Sequence, residues 1–341
     1  MENLTYYLAP LAGYTDLPYR TACRECGCRH AYTALIDAGA LVHGNPENEH
    51  ILERGSDEGW LGVQLLGSIP KDVERSAEIL NEMHYDAFDF NMGCPMQKIL
   101  RRNAGAALLQ PENHELAFSL VSIIRRHVSG KPFTVKTRIL DFDDPEPTIA
   151  FCRRLVSLGV EGITLHGRLA KRIYAGPVAW RVIRAVREAL PVPVTANGGI
   201  YNLQDARLMA EYTGCDRLMI ARGSLGNPWI FRELETGGPA DPSHEELCDV
   251  MQRHVLGMIR TYGERSACLM ARKIIIAYIK GRGYRKSFRT QAEAIASLEM
   301  FLGFMEVLRA EGPVSPVSQL DKRRDNGILP PLLDGDETKD S

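Results

Sequence analysis

The sequence lacks several features that would assign a protein to a broad class at once. It has no run of 18 apolar residues, so we expect no membrane span. Its first residues, MENLTYYLAPLAG, lack the basic start and the continuous apolar stretch of a signal peptide, and we expect a cytoplasmic protein. The formal net charge is only −2, which neither supports nor excludes a nucleic-acid partner. No feature implies a protein partner.

Disulfide and metal frameworks are also not expected. The eight cysteines should remain free thiols in a reducing compartment. Cys23, Cys26, Cys28 and His30 have spacings that a zinc site could use, but three ligands within six residues rarely complete a tetrahedron alone. We therefore predict no metal site.

What is present is an alternation of short β-rich runs and amphipathic stretches. Eight such units over roughly 225 residues favour a closed (β/α)8 TIM barrel, which is an α/β fold. The alternative, an open doubly wound sheet, is disfavoured because no GxGxxG follows the first predicted strand. The predicted strands are residues 5–9, 31–36, 61–66, 87–91, 133–139, 162–166, 193–197 and 217–221.

The pattern changes to helices alone from Ser243 to about residue 310, which predicts a smaller C-terminal all-helical domain. We expect a barrel domain over residues 1–236, a linker around 235–243, a helical domain over 243–311, and a flexible tail over 312–341.

A basic run in the helical region is a candidate RNA-contacting surface. RKIIIAYIKGRGYRKSFR, residues 272–289, holds seven Lys or Arg and no acid, with Tyr278, Tyr284 and Phe288 among them. The alternative is an ordinary amphipathic helix, with residues 274–276 packed inward and the charges only solvated.

Polar, cationic or glycine residues follow six of the eight predicted strands, where (β/α)8 enzymes carry their chemistry. The NGG turn at 197–199 and Arg222 follow neighbouring strands, and such loops frequently bind a phosphate. Lys136 and His166 would be costly to bury without partners. FMN would satisfy these groups together, with its phosphate on the NGG and Arg222 loops. Lys136 would then lie near N1 and O2, and Gln64 at the pyrimidine edge.

Cys94 stands at the tip of the fourth predicted strand, in DFNMGCPMQKI (residues 89–99), between Gly93 and Pro95. These neighbours would fix a loop that directs the sulfur into the cavity. The alternative is one more buried thiol among eight.

Six motifs in a fixed order carry a family resemblance. APLAGYTD, NMGCPMQK, VKTR, LHGR, ANGGI and ARG resemble those of the flavin-dependent tRNA-dihydrouridine synthases, over roughly residues 5–235. ARKIIIAYIKG resembles the start of that family's helical RNA-binding domain. The resemblance implies FMN as cofactor, NADPH as reductant and tRNA as substrate. The sequence departs from the family at Leu11, where Met is common, at Gly199, where Asp is common, and at residues 274–277, where His and Trp are frequent.

The resemblance also implies roles for individual residues. The implied FMN contacts are Pro10, Leu11, Ala12, Gln64, Lys136, His166, Asn197, Gly198, Gly199, Ala221, Arg222 and Gly223. Cys94 is the implied catalytic acid. The implied uridine or RNA contacts are Asn91, Lys98, Arg138 and Arg168, to which the basic run adds Arg272, Lys273 and Lys280.

These roles fit one reaction. Reducing the C5–C6 double bond of uracil needs a hydride at C6, from N5 of reduced FMN, and a proton at C5, which a thiol of pKa about 8.5 can donate. Two alternatives stay open. One is a barrel flavoprotein that reduces a small molecule such as a free pyrimidine or an enone, and the other is a catalytically silent RNA-binding protein.

Overall fold

A computed structural model describes residues 4–45 and 47–314 of the 341-residue chain. Eight parallel strands close into a barrel in sequence order, and the register pairs Leu8 of the first strand with Ile220 of the last. Each predicted strand is confirmed to within one residue at either end. The strands are β1 (Thr5–Leu8), β2 (His30–Asp37), β3 (Leu61–Leu66), β4 (Ala87–Asn91), β5 (Phe133–Arg138), β6 (Gly162–His166), β7 (Val194–Asn197) and β8 (Arg217–Ile220).

Helices alternate with these strands and then continue alone, which confirms the predicted fold class. Those within the barrel region are α1 (Leu17–Glu25), α2 (Ala38–Val42), α3 (Glu47–Leu52), α4 (Pro70–Glu82), α5 (Gln97–Leu100), α6 (His114–His127), α7 (Glu146–Ser157), α8 (Trp180–Ala189), α9 (Leu203–Thr213) and α10 (Ile230–Thr236). Those that follow are α11 (His244–Tyr262), α12 (Glu264–Ile279), α13 (Lys286–Ala294) and α14 (Leu298–Glu311).

Local sequence determines where several of these helices begin. Asn202 caps α9, its side chain accepting a hydrogen bond from the Asp205 N–H at 2.8 Å. Ser243 caps α11 and Ser297 caps α14 in the same way.

Buried apolar side chains form separate clusters. The largest joins the barrel strands to their helices, and a second joins α11–α14 to Trp229 and to Ala22 and Cys26 at α1. The residues between α10 and α11, 237–243, fall inside the predicted linker. The division into domains stays a prediction, which the separate clusters support. The predicted tail lies outside the described residues from 315 onward.

Two contacts join the helical region to the loop after β1. The Tyr262 hydroxyl donates to Asp16 Oδ2 at 2.9 Å, while Oδ1 of the same carboxylate accepts from the Tyr19 N–H at the start of α1. Lys273 Nζ donates to the Gly13 carbonyl at 2.8 Å and lies 4.1 Å from the Tyr14 ring centroid. The loop between β1 and α1 is therefore held from the helical side.

A buried ion pair holds the other side of this loop. Arg20 donates to both carboxylate oxygens of Glu58, at 2.8 and 3.0 Å, and its Nη1 donates to the Thr15 carbonyl. The two side chains are 0% and 1% exposed. A charge buried this fully is costly unless it keeps its partner.

We expect Glu58→Ala to lower the free energy of unfolding by about 3–5 kcal/mol, because it leaves the Arg20 guanidinium buried without a counter-charge. Urea denaturation would measure the loss. Asp57→Ala is the matched control, since Asp57 pairs with Arg24 but is 68% exposed, and its loss should cost about 1 kcal/mol or less. Equal losses in the two variants would contradict the assigned role of Glu58.

Candidate active site

A cavity of about 370 Å³ opens at the carboxyl ends of the barrel strands. Its volume is within the range of cofactor and small-molecule sites, roughly 300–1,000 Å³. Fifteen of the twenty predicted site residues line it. They are Pro10, Leu11, Ala12, Asn91, Cys94, Lys136, Arg138, His166, Arg168, Asn197, Gly198, Gly199, Ala221, Arg222 and Gly223.

Gln64 is the one predicted cofactor residue that does not line the cavity. Its side chain is fully buried, its Nε2 donates to Asp89 Oδ2, and its Oε1 accepts from Asn91 Nδ2, each at 2.7 Å. Both ends of the Gln64 amide are thus hydrogen-bonded to other side chains of the protein. The geometry does not support the predicted contact between Gln64 and the pyrimidine edge of FMN.

Lys136 projects from β5 into the cavity wall. Its Nζ donates to Asn197 Oδ1 at 3.0 Å, and Asn197 Nδ2 donates in turn to the Met219 carbonyl at 2.8 Å. Burial and the nearby Arg138 lower the pKa of Lys136 to about 8, although Asp89 and Cys94 oppose this. Lys136 therefore carries a positive charge at neutral pH and can lose it in mildly alkaline solution.

His166, at the end of β6, is neutral. Burial lowers its pKa well below the ordinary value, and the surrounding cations, Arg138 and Lys136 foremost, lower it further. Its Nε2 lies 3.3 Å from Nη1 of Arg168. Since a guanidinium group can only donate, Nε2 is the acceptor and the ring proton lies on Nδ1.

The backbone of the Cys94 loop is held by four hydrogen bonds. Asn91 Oδ1 accepts from the N–H groups of Gly93 and Cys94, each at 3.0 Å. The Cys94 carbonyl accepts from the Ala106 N–H at 3.0 Å, and the Gly93 carbonyl accepts from Arg138 Nε at 2.8 Å. Cys94 is the half-buried member of the eight cysteines, and the other seven are buried. The structure thus holds a thiol-bearing loop on the cavity wall through Asn91, Ala106 and Arg138.

The loops after β7 and β8 approach each other closely enough to require glycine. A Cβ atom on Gly223 would lie 2.2 Å from the Ile200 carbonyl oxygen, and one on Gly198 would lie 2.7 Å from Cδ2 of His166. Arg222 stands beside this contact and lines the cavity. Two backbone turns and a guanidinium group therefore meet here, a set of donors suited to a phosphate.

Sequence reasoning missed Tyr174, which also lines the cavity. Its ring centroid lies 4.8 Å from the Arg222 guanidinium and 5.8 Å from that of Arg138. Arg138 also donates from Nη1 to the carbonyl of Ile173 at 2.8 Å, which ties the loop after β6 to β5. The sequence signal that could have identified it is a tyrosine that follows three cationic residues in RLAKRIY, residues 168–174.

The other predicted RNA contacts lie away from the cavity lining. Lys98 is exposed on α5, and Lys280 is exposed after α12. Arg272 donates from Nε to the Ile295 carbonyl at 2.7 Å, and Lys273 contacts the loop after β1 as described above. Arg272 and Lys273 therefore also have structural partners.

The proposed interleaving of aromatic rings on an RNA-contacting surface is wrong for Tyr278 and Phe288. They are 0% and 1% exposed and belong to the core of the helical region. Ile274 and Ile275 are buried there as well, so this part of the run has the inward packing of the alternative interpretation.

The described residues offer neither a metal-binding cluster nor a membrane-spanning helix. Over residues 4–45 and 47–314, no group of three or more His, Cys, Asp or Glu side chains is arranged to hold a metal ion. Among the same residues, no helix has the length and hydropathy needed to cross a membrane.

The fold and the cavity are those of a TIM-barrel enzyme whose active centre lies at the carboxyl ends of the strands. The model of the dihydrouridine synthase (Dus) family matches residues 7–310, and the chain belongs to that family. Members of the family are flavin-dependent enzymes that form dihydrouridine in tRNA, with FMN as cofactor and NAD(P)H as reductant. The predicted family, enzyme class and cofactors are thereby confirmed.

Individual relatives agree with this assignment. The chain is 32% identical over 294 residues to tRNA-dihydrouridine synthase B of Pasteurella multocida (strain Pm70), covering 85% of this chain and 88% of the relative. It is 31% identical over 307 residues to the protein of that name from Proteus vulgaris, covering 87% and 94%. Among solved structures, histamine dehydrogenase from Rhizobium sp. 4-9 has a TM-score of 0.51 at 13% identity, over 79% of this chain and 48% of that chain. The last similarity concerns the fold alone.

Proposed function

We propose that the protein is a tRNA-dihydrouridine synthase that reduces the C5–C6 double bond of particular uridines, with Cys94 as the proton donor. The observation that carries the proposal is that the Cys94 loop shares one cavity with Lys136 and His166. We further propose that the enzyme acts in the cytoplasm.

The cavity residues fit FMN. The contact between Gly223 and Ile200 leaves no room for a side chain, so backbone groups and Arg222 would hold the phosphate. Lys136 and His166 would face the ring system. When bound, FMN would supply the reducing equivalents that it receives from NADPH.

Three groups of this chain would then act on the uracil or the cofactor. Lys136 carries the positive charge that stabilises an electron-rich ring beside it. The neutral His166 offers its Nδ1–H as a hydrogen-bond donor without adding charge. Cys94, held at its backbone, would donate the proton to C5 and recover it from solvent.

The tRNA must present its uridine to this cavity. Extruding a base from folded RNA costs a few kcal/mol, which contacts to the flanking backbone can offset. Arg138 and Arg168 line the cavity, while Lys98 and Lys280 are exposed outside it. We propose that the two arginines contact the uridine and its phosphates, and that the exposed lysines contact RNA further away.

The test is dihydrouridine measured by nucleoside mass spectrometry. The substrate is tRNA from cells that lack this gene, incubated with the purified protein and NADPH. NADPH-dependent formation of dihydrouridine supports the proposal. A yellow protein that oxidises NADPH but forms no dihydrouridine would overturn it.

We expect the tRNA reaction to be sensitive to salt, because phosphate contacts release counterions. Between about 50 and 200 mM salt, the kcat/KM for tRNA should fall by at least about tenfold. The rate at which NADPH reduces the bound flavin is the internal control and should change much less. A tRNA reaction that is insensitive to salt would favour the alternative of a flavoprotein acting on a small molecule.

We expect the affinity for FMN to fall as Lys136 loses its proton. Folding lowers the pKa of this lysine from 10.5 to about 8, so the charge is present below pH 8 and is lost above it. If only the protonated form binds well, affinity should fall by up to about tenfold between about pH 7 and pH 9. Titration of the apoprotein, followed by flavin fluorescence, would measure this.

Lys136→Met is the control for this pH dependence. The variant should bind FMN more weakly at about pH 7 and should lose most of the change up to about pH 9. The same pH dependence in both proteins would assign it to another group.

A further inference from the structure

A buried chain of hydrogen bonds joins the barrel interior to the Cys94 loop. Asp89 Oδ2 accepts from Gln64 Nε2, and Gln64 Oε1 accepts from Asn91 Nδ2, each at 2.7 Å. Asn91 Oδ1 then accepts from the N–H groups of Gly93 and Cys94 at 3.0 Å. Asp89, Gln64 and Asn91 are 1%, 0% and 7% exposed, so water does not replace these bonds at low cost.

This chain has a direction, and Asp89 sets it. An amide side chain has one donating end and one accepting end, and it can turn over to exchange them. A carboxylate only accepts, so it must meet the NH₂ end of Gln64. The oxygen of Gln64 then faces Asn91, which must present its own NH₂ group. The oxygen of Asn91 is thereby directed at the two backbone N–H groups.

Reversing the chain would leave the loop with two of its four hydrogen bonds, those from Ala106 and Arg138. If Gln64 turned over, its NH₂ group would face the NH₂ group of Asn91, and Asn91 would have to turn as well. The NH₂ group of Asn91 would then face the N–H groups of Gly93 and Cys94. Donors cannot bond to donors, so two hydrogen bonds of the loop would be lost.

The same direction is also available when Asp89 is protonated. A protonated carboxyl group keeps one accepting oxygen, which can stay on Gln64. Thr134 Oγ1, which donates to Asp89 Oδ1 at 2.6 Å, can turn to accept the carboxyl proton instead.

We propose that Asp89 is a positioning residue for the reaction. It does not line the cavity, and it acts through Gln64 and Asn91 to hold the Cys94 loop in place. The inference rests on the proposed function of Cys94. The geometry of the loop itself can be tested without RNA.

The test compares Asp89→Asn with Asp89→Leu in the full-length, FMN-loaded protein. Asparagine can keep an oxygen on Gln64 and donate to Thr134, whereas leucine has a similar size and no acceptor. The first readout is the alkylation rate of Cys94 by iodoacetamide, followed on its peptide by mass spectrometry. Because the other seven cysteines are buried, Cys94 should react first. The second readout is dihydrouridine formed per flavin-loaded molecule.

We expect Asp89→Asn to leave the alkylation rate within about twofold of the wild type, and Asp89→Leu to change it by at least about threefold. At equal FMN content, kcat for dihydrouridine should fall at least about tenfold in Asp89→Leu, because displacing a reacting group by ~1 Å can cost about 10² in rate. Thr134→Val is the matched control. It removes the other hydrogen bond to Asp89 and should leave alkylation unchanged.

Unchanged alkylation in Asp89→Leu would overturn the proposal, as would equal changes in Asp89→Leu and Asp89→Asn. A change in Thr134→Val as large as in Asp89→Leu would assign the effect to general loss of stability and also overturn it. If Asp89→Leu does not fold or hold FMN, Gln64→Met interrupts the same chain one residue closer to the loop, and the same criteria apply. Altered alkylation without dihydrouridine in any protein would support the positioning role and refute the proposed function.

Discussion

Cys94→Ala should lower the rate of dihydrouridine formation by at least about 10²-fold, since a positioned general acid contributes about 10²–10⁴. The variant keeps the backbone of the loop, because the hydrogen bonds to Asn91 and Ala106 involve the backbone of residue 94 alone. Binding of FMN and its reduction by NADPH should therefore persist. The measurement is single-turnover reduction of tRNA by the pre-reduced enzyme, read as dihydrouridine.

Two outcomes separate the role of the thiol from a structural one. Retention of FMN and of NADPH oxidation, with loss of dihydrouridine, would identify Cys94 as the acid. Cys94→Ser keeps a donor of much higher pKa and should also be slow, with an activity above that of Cys94→Ala. A Cys94→Ala enzyme that reduces uridine at the wild-type rate would contradict the assignment. Water or another side chain would then have to be the proton donor.

The sequence was sufficient to predict the barrel and most of its active end. Strand and helix periods alternate clearly, and parallel strands in a closed barrel all end at the same face. A motif at the end of a strand, such as the one around Cys94, therefore has its location determined by the fold. This is why residues from six separate segments of the chain could be expected to share one cavity.

Gln64 shows where such reasoning fails. All six residues of β3 are buried. The strand therefore has no alternation of buried and exposed positions that would distinguish a side chain lining the cavity from one packed beneath it. The depth of Gln64 depends on the register with β2, which shifts between Tyr32 and Leu35, and on Asp89 in β4. Neither partner is apparent from the sequence of β3.

Contacts between residues far apart in the sequence could not be predicted from the sequence either. The partner of Lys273 is the Gly13 carbonyl, 260 positions earlier in the chain. The position of Tyr174 depends on the loop after β6, which is held by Arg138 and Arg222 from two other strand ends. A basic segment can therefore resemble an RNA-binding surface while part of its charge is used inside the protein.

Gly223→Ala should weaken FMN binding. A Cβ at this position would lie 2.2 Å from the Ile200 carbonyl oxygen, 3.2 Å from the carbonyl carbon and 3.1 Å from Cδ1 of Ile230. The nearest of these atoms is backbone and cannot move aside as a flexible side chain would. The loops after β7 and β8 must separate, and these are the two loops proposed to hold the phosphate. We expect FMN affinity to fall by about 5- to 150-fold, because overpacking costs typically 1–3 kcal/mol and each 1.4 kcal/mol is a factor of ten in affinity.

Gly303→Ala is the control, since a Cβ there has no atom within 4 Å and lies within α14. This variant should bind FMN normally and should gain about 0.5–1 kcal/mol of stability, because alanine is favoured over glycine in a helix. Equilibrium dialysis of each apoprotein against FMN would measure affinity, and thermal denaturation would show whether the barrel remains folded. If Gly223→Ala stays folded and binds FMN as tightly as the wild type, the phosphate does not depend on the contact between these loops, and its proposed site would have to be moved.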